Sequence, residues 1–401
     1  MTSSPATAGR PRFDIADIVR RHRPELESEV RLTPAQSRVL SAIAVCRTAA
    51  LGGHLDVCRA CGYEHPFYNS CRNRHCPKCQ ALAQERWIDQ QTERLLPTGH
   101  FHVVFTLPSQ LRGLAKFRPA LIFDALFRAA GQTLLELGHT RFDGTLGAIM
   151  VLHTWTRELA FHPHVHAIVT AGGVRDDCSR WNGSSPKYLF PVQIMGALLR
   201  GKMMAMLRRL HADGEFDGYV EFADPRAFDD LMLRLANTPW IVYAKKPFRR
   251  CEHVLAYLGR YTHRVAISNS RLVDVSPEKV VFRTRDGKTT SLPPVEFLRR
   301  FVQHVLPDGM QKIRYYGLYA RSHVKTLLPI VRALFGAQPT IRSRALPWED
   351  HLHALTGRDV HVCRRCGQRI VRISFSPRAR DPPSRGPPHE QPCFLFIVPT
   401  P

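Results

Sequence analysis

The sequence is short of acidic residues. Its 401 residues include 34 Asp and Glu against 57 Lys and Arg, which gives a formal net charge of +23 at pH 7. A basic surface attracts polyanions, because cationic side chains that meet a phosphate backbone release its condensed counterions. A ribosomal or chromatin protein would share this charge, so composition alone predicts only a polyanionic partner such as DNA or RNA.

Long hydrophobic runs are also missing. No apolar stretch approaches the roughly 20 residues of a membrane-spanning helix, and Met1-Thr-Ser-Ser-Pro5 has no signal-peptide core. We therefore expect a cytoplasmic protein with no membrane partner. Because the cytoplasm is reducing, the eleven cysteines are not expected to form disulfides. The 44% of hydrophobic residues can build a real core, and the length allows two or three domains.

The chain contains no His-Glu-x-x-His motif, which argues against a zinc hydrolase with a glutamate base. Histidines are concentrated instead in the segment Ala-Phe-His-Pro-His-Val-His-Ala-Ile-Val-Thr, residues 160–170. Its β-branched residues predict a strand from His164 to Thr170, on which side chains two apart share a face. His164 and His166 would then form half of a metal site. Two such histidines can equally be ordinary half-buried side chains.

A neighbouring segment adds a third histidine. Gly147 to Trp155 also has the composition of a strand, and an antiparallel hairpin centred near Leu159 would bring His153 opposite His166. Pro163 suits the start of a strand, which leaves His162 just outside the ladder as a secondary contact. Three imidazoles would then converge on one face of the sheet.

The cysteines have the spacing of a zinc site. Cys58-Arg-Ala-Cys61 and Cys76-Pro-Lys-Cys79 are separated by fourteen residues, and two such knuckles can deliver four thiolates to a tetrahedral Zn²⁺. Four sulfur ligands leave no open position for chemistry, so the predicted zinc is structural. The alternative ligands lying between the pairs are Cys71 and His75.

The two ends of the chain have less regular patterns. Residues 1–12 are small and polar and are expected to be disordered, as is the proline-rich stretch from Asp381 to Pro392. Cys363-Arg-Arg-Cys366 is a further knuckle with no second pair near it. From sequence, only Cys393, His361 or His389 could complete a site there.

A second focus is the segment Arg249 to Arg264. Helical spacing places His253, Tyr257 and Tyr261 along one face. Such tyrosines are ordinarily core or interface residues, but a phenol in a basic track is a candidate nucleophile for phosphate chemistry. The candidate DNA-binding residues, here and around the cysteines, are Arg72, Arg74, Lys78, Lys245, Lys246, Arg249, Arg250, Arg260 and Arg264.

Taken together, these features resemble the rolling-circle transposases of insertion-sequence family ninety-one, which are HUH-tyrosine endonucleases with an N-terminal zinc-binding domain. The resemblance extends from Phe13 to about Leu334. It is carried by phrases in a fixed order, which are Asn69-Ser-Cys-Arg-Asn-Arg-His-Cys-Pro-Lys-Cys-Gln80, Phe101-His-Val-Val-Phe-Thr-Leu-Pro108, Leu152-His-Thr-Trp155, His162-Pro-His-Val-His166, Tyr257-Leu-Gly-Arg-Tyr-Thr-His-Arg-Val-Ala-Ile-Ser268 and Ile313-Arg-Tyr-Tyr-Gly-Leu318.

The resemblance implies a mechanism. His164 and His166, with His153 by similarity to the three-histidine relaxases, would hold Mg²⁺ or Mn²⁺. Tyr257 or Tyr261 would attack the scissile phosphate of single-stranded DNA at a transposon end and leave a 5′-phosphotyrosine. His253 is the competing third ligand, and His153 is preferred on hairpin geometry. The resemblance also implies a bacterial, nucleoid-associated protein that acts alone or as a homo-oligomer.

We therefore expect an α+β protein, with an HUH-endonuclease-like antiparallel sheet flanked by helices and preceded by a helical zinc-knuckle module. The expected divisions are a disordered terminus at 1–12, a helical and zinc-binding DNA-binding domain at 13–97, the nuclease at 98–335 and a C-terminal extension at 336–401. Two alternatives remain. A plasmid replication initiator or relaxase would share the active site, and a non-catalytic zinc-finger DNA-binding protein would share the charge and the cysteines.

Overall fold

The computed structural model describes residues 11–185, 187–248, 259, 266–336 and 347–376. The helices in these ranges are α1 Ile15–Glu29, α2 Pro34–Ala44, α3 Ala81–Arg94, α4 Arg112–Phe117, α5 Pro119–Phe142, α6 Val192–Ala212, α7 Ala227–Asn237, α8 Pro294–Val302, α9 Leu327–Leu334 and α10 Trp348–Thr356. The strands are β1 Gly53–Val57, β2 Glu64–Tyr68, β3 His100–Thr106, β4 Gly144–Thr145, β5 Gly147–Trp155, β6 Phe161–Thr170, β7 Gly172–Arg175, β8 Trp181–Gly183, β9 Val242–Phe248, β10 Leu272–Val275, β11 Val280–Arg283, β12 Thr289–Leu292, β13 Ile313–Gly317 and β14 Val371–Phe375.

A five-stranded sheet of order β13-β5-β6-β3-β9 lies at the centre of the molecule. Each of its strand pairs is antiparallel. The β5 and β6 strands are almost wholly buried, as expected for runs of β-branched and apolar residues at the middle of a sheet. The expected combination of helices with an antiparallel sheet is confirmed for the described residues.

The sheet is covered on both faces. Alternate residues of β3, β5 and β6, such as Val103, Met150 and Val165, face a layer formed by α4 to α7. The intervening residues Val151 and Ile168 face the opposite way, where Trp87 of α3 packs on them together with Tyr319 and α9. Because successive strand residues point to opposite faces, the same alternation directs the histidines of β5 and β6 toward the α3 side.

The N-terminal helices have a core of their own with a distant part of the chain. Ile15, Val19 and Leu40 of α1 and α2 are buried against Phe282, Phe297 and other residues of the β10–β12 sheet and α8. A third antiparallel sheet of order β14-β1-β2 joins the C-terminal strand to the hairpin at residues 53–68. Among the described residues, no helix is long and apolar enough to cross a membrane.

Candidate functional site

Three histidines converge on the middle of the central sheet. His153 of β5 lies directly opposite His164 of β6, and His166 is opposite Val151, one position further along the same face. The expected pairing of His153 with His166 is therefore wrong, because a register shift between His153 and Trp155 moves the hairpin. The shift leaves all three rings on one face, and one ligand nitrogen from each lies within 4.8 Å of the others.

Two of the three rings are held by neighbouring groups. The Nδ1 of His164 lies 2.7 Å from the carbonyl oxygen of His162, to which it donates, so its Nε2 remains for a ligand. The Nδ1 of His166 lies 2.7 Å from Nε2 of His102, a residue of β3, and the two rings are stacked. Groups of this kind fix the tautomer and the orientation of metal-binding imidazoles. His162 is in turn bound by Arg112, whose Nη2 lies 2.8 Å from its Nδ1.

The environment keeps these imidazoles uncharged. Burial lowers the pKa of His164 to about 4. The pKa values of His153 and His166 lie well below the usual range, first because of burial and then because of neighbouring positive charge. A neutral imidazole has a nitrogen lone pair to offer, so the donor set fits a metal ion. Three such nitrogens without a carboxylate suit Mn²⁺ or another transition ion better than Mg²⁺.

Two lysines bring positive charge to the site. Lys312 precedes β13 and places its Nζ 4.8 Å from the centre of the Trp155 ring, which itself stacks on His153 at 4.8 Å. Burial, followed by the nearby charge of Arg74, lowers the pKa of Lys312 to about 7. Lys245 is exposed on β9 opposite His102. The charges of both lysines lower the pKa of His166, so both lie within electrostatic reach of it.

The predicted tyrosine segment lies outside the described residues, except for one glycine. Gly259 is helical and buried, and a Cβ placed on it would come within 2.4 Å of Cδ1 of Ile88 in α3. The chain therefore passes very close to α3, which covers the histidine face of the sheet. The predicted residues that fall outside are His253, Tyr257, Tyr261, Arg249, Arg250, Arg260, Arg264 and the side chain of Lys246.

The cysteines form two clusters instead of the single predicted one. The first consists of Cys46, Cys71, Cys76 and Cys79, and the second of Cys58, Cys61, Cys363 and Cys366, with all sulfurs of each cluster within 4.8 Å of one another. His75 belongs to neither cluster, and its Nε2 accepts from the backbone N–H of Leu306 instead.

The hairpin explains why the predicted set of Cys58, Cys61, Cys76 and Cys79 is divided. Cys58 and Cys61 lie in the turn between Val57 and Glu64, whereas Cys76 and Cys79 follow the open end, where Gly53 pairs with Tyr68. The length of the strand separates the two ends by roughly 14 Å. Cys46 precedes β1 and therefore lies at the open end with the second predicted pair.

The first cluster has the spacing of a tetrahedral thiolate site. The Sγ of Cys79 lies 3.3 Å from that of Cys46 and 3.6 Å from that of Cys71. Sulfurs at 2.3 Å from a tetrahedral zinc would be about 3.8 Å apart. Lys78 supports the cluster, since its Nζ donates to Asp14 at 2.6 Å and to the carbonyl of Cys46 at 3.0 Å.

The predicted DNA-binding residues near the cysteines have different surroundings. Arg72 is exposed and adopts a left-handed backbone with φ of 53°. Arg74 donates to the carbonyls of Met310 at 2.7 Å and Pro307 at 3.0 Å. Arg74 and Lys78 therefore hold parts of the protein together. Arg74 is nevertheless exposed, as Arg72 is, so both can face a partner.

Sequence reasoning missed several of these residues. His102 could have been found, because the alternation in His100-Phe101-His102 places it on the same face as the other histidines. Cys46 stands alone just after a helix and gives no spacing signal. Lys312 is one of ten lysines in the sequence, and its burial, which the sequence does not show, is what distinguishes it.

Two family models match the sequence. One, described as "Transposase zinc-binding domain", matches residues 18–107, and the other, described as "Putative transposase", matches residues 147–326. The protein "Putative transposase y4qJ" of Sinorhizobium fredii (strain NBRC 101917 / NGR234) is 37% identical to the chain, over 92% of this chain and 97% of that protein. The chain belongs to the transposases of insertion-sequence family ninety-one.

A second relative supports this assignment. "Transposase for insertion sequence element IS801" of Pseudomonas savastanoi pv. phaseolicola is 29% identical to the transposase, over 86% of this chain and 85% of that protein. No solved structure matches the transposase. The zinc-binding match includes all four cysteines of the first cluster, and the second match includes His153, His164 and His166. Membership of the family makes DNA the substrate and makes structural zinc a property of the N-terminal region.

Proposed function

We propose that this transposase cleaves and rejoins single-stranded DNA at the ends of an insertion sequence through a metal-dependent tyrosine reaction of the rolling-circle type. The observation that carries the proposal is the convergence of three uncharged imidazoles, His153, His164 and His166, with ligand nitrogens within 4.8 Å of one another. A purely DNA-binding protein would have no need of such a set beside a basic surface.

The three histidines would hold Mn²⁺ or Mg²⁺ through their ring nitrogens. When bound, the ion would offset the negative charge on the non-bridging oxygens of the scissile phosphate and help to orient it for in-line attack. His102 and the carbonyl of His162 keep two of the rings in position. Lys312 and Lys245, whose charges reach His166, would bind phosphates of the same strand.

Tyr257 or Tyr261 would supply the nucleophile. The phenol oxygen forms a bond to phosphorus, the bond from phosphorus to the 3′ oxygen breaks, and the phenol proton passes through solvent to that oxygen. The products are a 5′-phosphotyrosine and a strand with a free 3′-OH. Attack by another 3′-OH reverses the step and joins the strands without ATP, because the phosphotyrosine is itself a phosphodiester.

The site has one further feature that supports this assignment. Gly259 lies between the two tyrosines in sequence, and its backbone passes close to Ile88 of α3. Trp87 of the same helix packs on the sheet face that bears the histidines. A nucleophile next to Gly259 would therefore be carried by a segment that contacts the helix covering the histidine face.

The other candidate functions differ in their use of the same site. A plasmid replication initiator or relaxase would perform identical strand chemistry, but the close relatives are named as transposases. A zinc-finger protein without activity would bind the same DNA and form no covalent product. If only one tyrosine acts, either that nucleophile is used again for the other cleavage or a second protomer supplies it. In the second case the active form would be a homo-oligomer.

The proposal is tested on a denaturing gel with labelled single-stranded DNA that carries the element's terminus, with Mn²⁺ present. We expect a metal-dependent cleavage product in the wild type and in Tyr68→Phe, which changes an exposed tyrosine of β2, outside the five-stranded sheet. Cleavage should be lost in His164→Ala and in the Tyr257→Phe/Tyr261→Phe double variant. Undiminished cleavage in the double variant would remove tyrosine from the mechanism.

A further inference from the structure

The second cysteine cluster is built from two matching segments at opposite ends of the chain. Cys58-Arg-Ala-Cys61-Gly62 and Cys363-Arg-Arg-Cys366-Gly367 share the pattern Cys-Arg-x-Cys-Gly. Each occupies the turn of a β-hairpin of the same length, closed in one case by the pair Val57 and Glu64 and in the other by Val362 and Arg369. The N-terminal and C-terminal segments therefore repeat one structural unit.

The two turns contain the same backbone hydrogen bonds. The N–H of Gly62 donates to the carbonyl of Cys58 at 2.9 Å, and the N–H of Gly367 donates to that of Cys363 at 3.0 Å. Both glycines have a left-handed backbone, with φ of 68° and 78°, which a residue with a side chain rarely adopts. In addition, the N–H of Arg365 points to the sulfur of Cys363 at 3.4 Å. Donors aimed at a sulfur stabilise its thiolate form.

The four sulfurs have the separations of a metal site. The Sγ atoms of Cys58 and Cys366 are 3.5 Å apart, and those of Cys61 and Cys363 are 3.7 Å apart. Thiolates around a tetrahedral zinc would be about 3.8 Å apart, whereas a disulfide would hold two sulfurs at about 2.05 Å. The arrangement is therefore that of four separate ligands around a shared centre.

Strand pairing delivers the C-terminal segment to this position. β14 runs antiparallel to β1, with Val371 opposite Val57 and Phe375 opposite Gly53. Arg372 fixes this register through Asp56, whose buried carboxylate lies 2.9 Å from its Nε. The turn that precedes β14 is thereby placed beside the turn that follows β1, although Cys61 and Cys363 are 302 positions apart.

We propose that Cys58, Cys61, Cys363 and Cys366 bind a second structural Zn²⁺, which fastens the C-terminal segment to the N-terminal zinc-binding region. The family match to a zinc-binding domain ends at residue 107, so this site is completed by residues beyond it. The four thiolates leave no open position for chemistry, so the role of the ion is to hold the C-terminal segment against the N-terminal region. This inference is independent of the proposed strand cleavage.

The metal content of the full-length protein provides the first test. Zinc released from the purified wild type is compared with that from Cys363→Ser/Cys366→Ser and from Cys178→Ser, a control cysteine outside both clusters. We expect the double variant to lose one equivalent of zinc and the control to lose none. Equal zinc content in the wild type and the double variant would overturn the proposal. Any zinc bound by the histidine cluster would be present in both proteins, so it would not change the difference between them.

A second test needs no variant and so does not depend on folding. The zinc-loaded wild type is treated briefly with a thiol-alkylating reagent, before and after chelation, and the labelled cysteines are identified by mass spectrometry. Cys366 is exposed and Cys178 only partly so, so exposure alone would make Cys366 the faster to react. We expect Cys366 to be protected until zinc is removed. Labelling of Cys366 at least as fast as Cys178 in the zinc-loaded protein would contradict the second site.

Discussion

Two of the three clustered histidines are oriented by groups outside the cluster. His166 is oriented by His102 on the neighbouring strand, and His164 by the carbonyl of His162. Each contact is made by the Nδ1 atom of the ring. Loss of such outer contacts typically lowers metal affinity by about 10–100-fold.

His102→Phe tests this dependence, because it keeps a ring in the buried position and removes the hydrogen bond. We expect the concentration of Mn²⁺ that gives half-maximal DNA cleavage to rise by about 10–100-fold, with most of the rate recovered at saturating metal. Titration of cleavage against Mn²⁺ measures both quantities, and His139→Phe, at an exposed position, serves as the control. An unchanged metal requirement would show that His102 does not position His166.

The buried charge of Lys312 should make the stability of the fold depend on pH. Burial lowers its pKa from 10.5 to about 7, so the unfolded chain binds the proton more tightly than the folded one. The cost of burying the charge is therefore full below pH 7 and declines as the pH rises toward the unfolded value.

Lys312→Met should accordingly be more stable than the wild type at pH about 6, and this advantage should shrink at pH about 9. At the same time it should cleave DNA more slowly, because a cation beside the phosphate is lost. Thermal unfolding of both proteins at the two pH values gives the first comparison, with the exposed Lys279→Met as control. A stability difference that grows with pH would contradict the depressed pKa.

At the scale of elements, local pattern was informative where strands are neighbours in sequence. The strand-like composition of 147–155 and 160–170 predicted the hairpin and the shared face of the three histidines, and only the register differed, because a bulge cannot be read from composition. The cysteine grouping could not be predicted in the same way. It depends on the pairing of β14 with β1, which has no local signal, although the repeated Cys-Arg-x-Cys-Gly pattern was available as a clue.

The contact between α3 and Gly259 can be tested by substitution of the two residues that meet. Gly259→Val would drive a side chain into Ile88, whose Cδ1 would lie 2.4 Å from the new Cβ. We expect Gly259→Val to slow DNA cleavage and Gly259→Val/Ile88→Ala to recover part of the rate, since removing the obstructing atoms restores the space. The measurement is the DNA cleavage rate of these two variants and of Ile88→Ala alone. Absence of any recovery would mean that the contact does not position the tyrosine segment.

At the scale of the whole molecule, the excess of positive charge is read directly from composition, but the surroundings of each cation are not. Arg74 and Lys78, which were predicted to contact DNA, also donate to a backbone carbonyl and to Asp14 within the protein, and their contact with DNA stays a prediction. Arg72 is exposed. A cation's role depends on which distant segments pack around it, and a list of basic residues does not contain that information.

Arg72→Ala and Arg74→Ala should therefore have different effects. We expect Arg72→Ala to reduce the salt dependence of single-stranded DNA binding by about 0.7 in the slope of log K against log salt, if it neutralises one phosphate. Arg74→Ala should instead reduce the stability of the fold by about 1–3 kcal/mol, through loss of its two hydrogen bonds. Binding isotherms at several salt concentrations and denaturant unfolding measure the two effects. A reduced salt dependence in Arg74→Ala together with a reduced stability in Arg72→Ala would contradict the structure.

The most direct measurement of the central claim is to locate the DNA on the protein. Trypsin cuts after Arg250, Arg260 and Arg264, so Tyr257 falls in the peptide 251–260 and Tyr261 in the peptide 261–264. Mass spectrometry of the digested covalent complex, formed with Mn²⁺ on DNA that carries the element's terminus, should find a 5′-phosphate attached to one of these two peptides. Attachment at any other peptide, or cleavage that leaves a free 5′-phosphate and no adduct, would contradict the account.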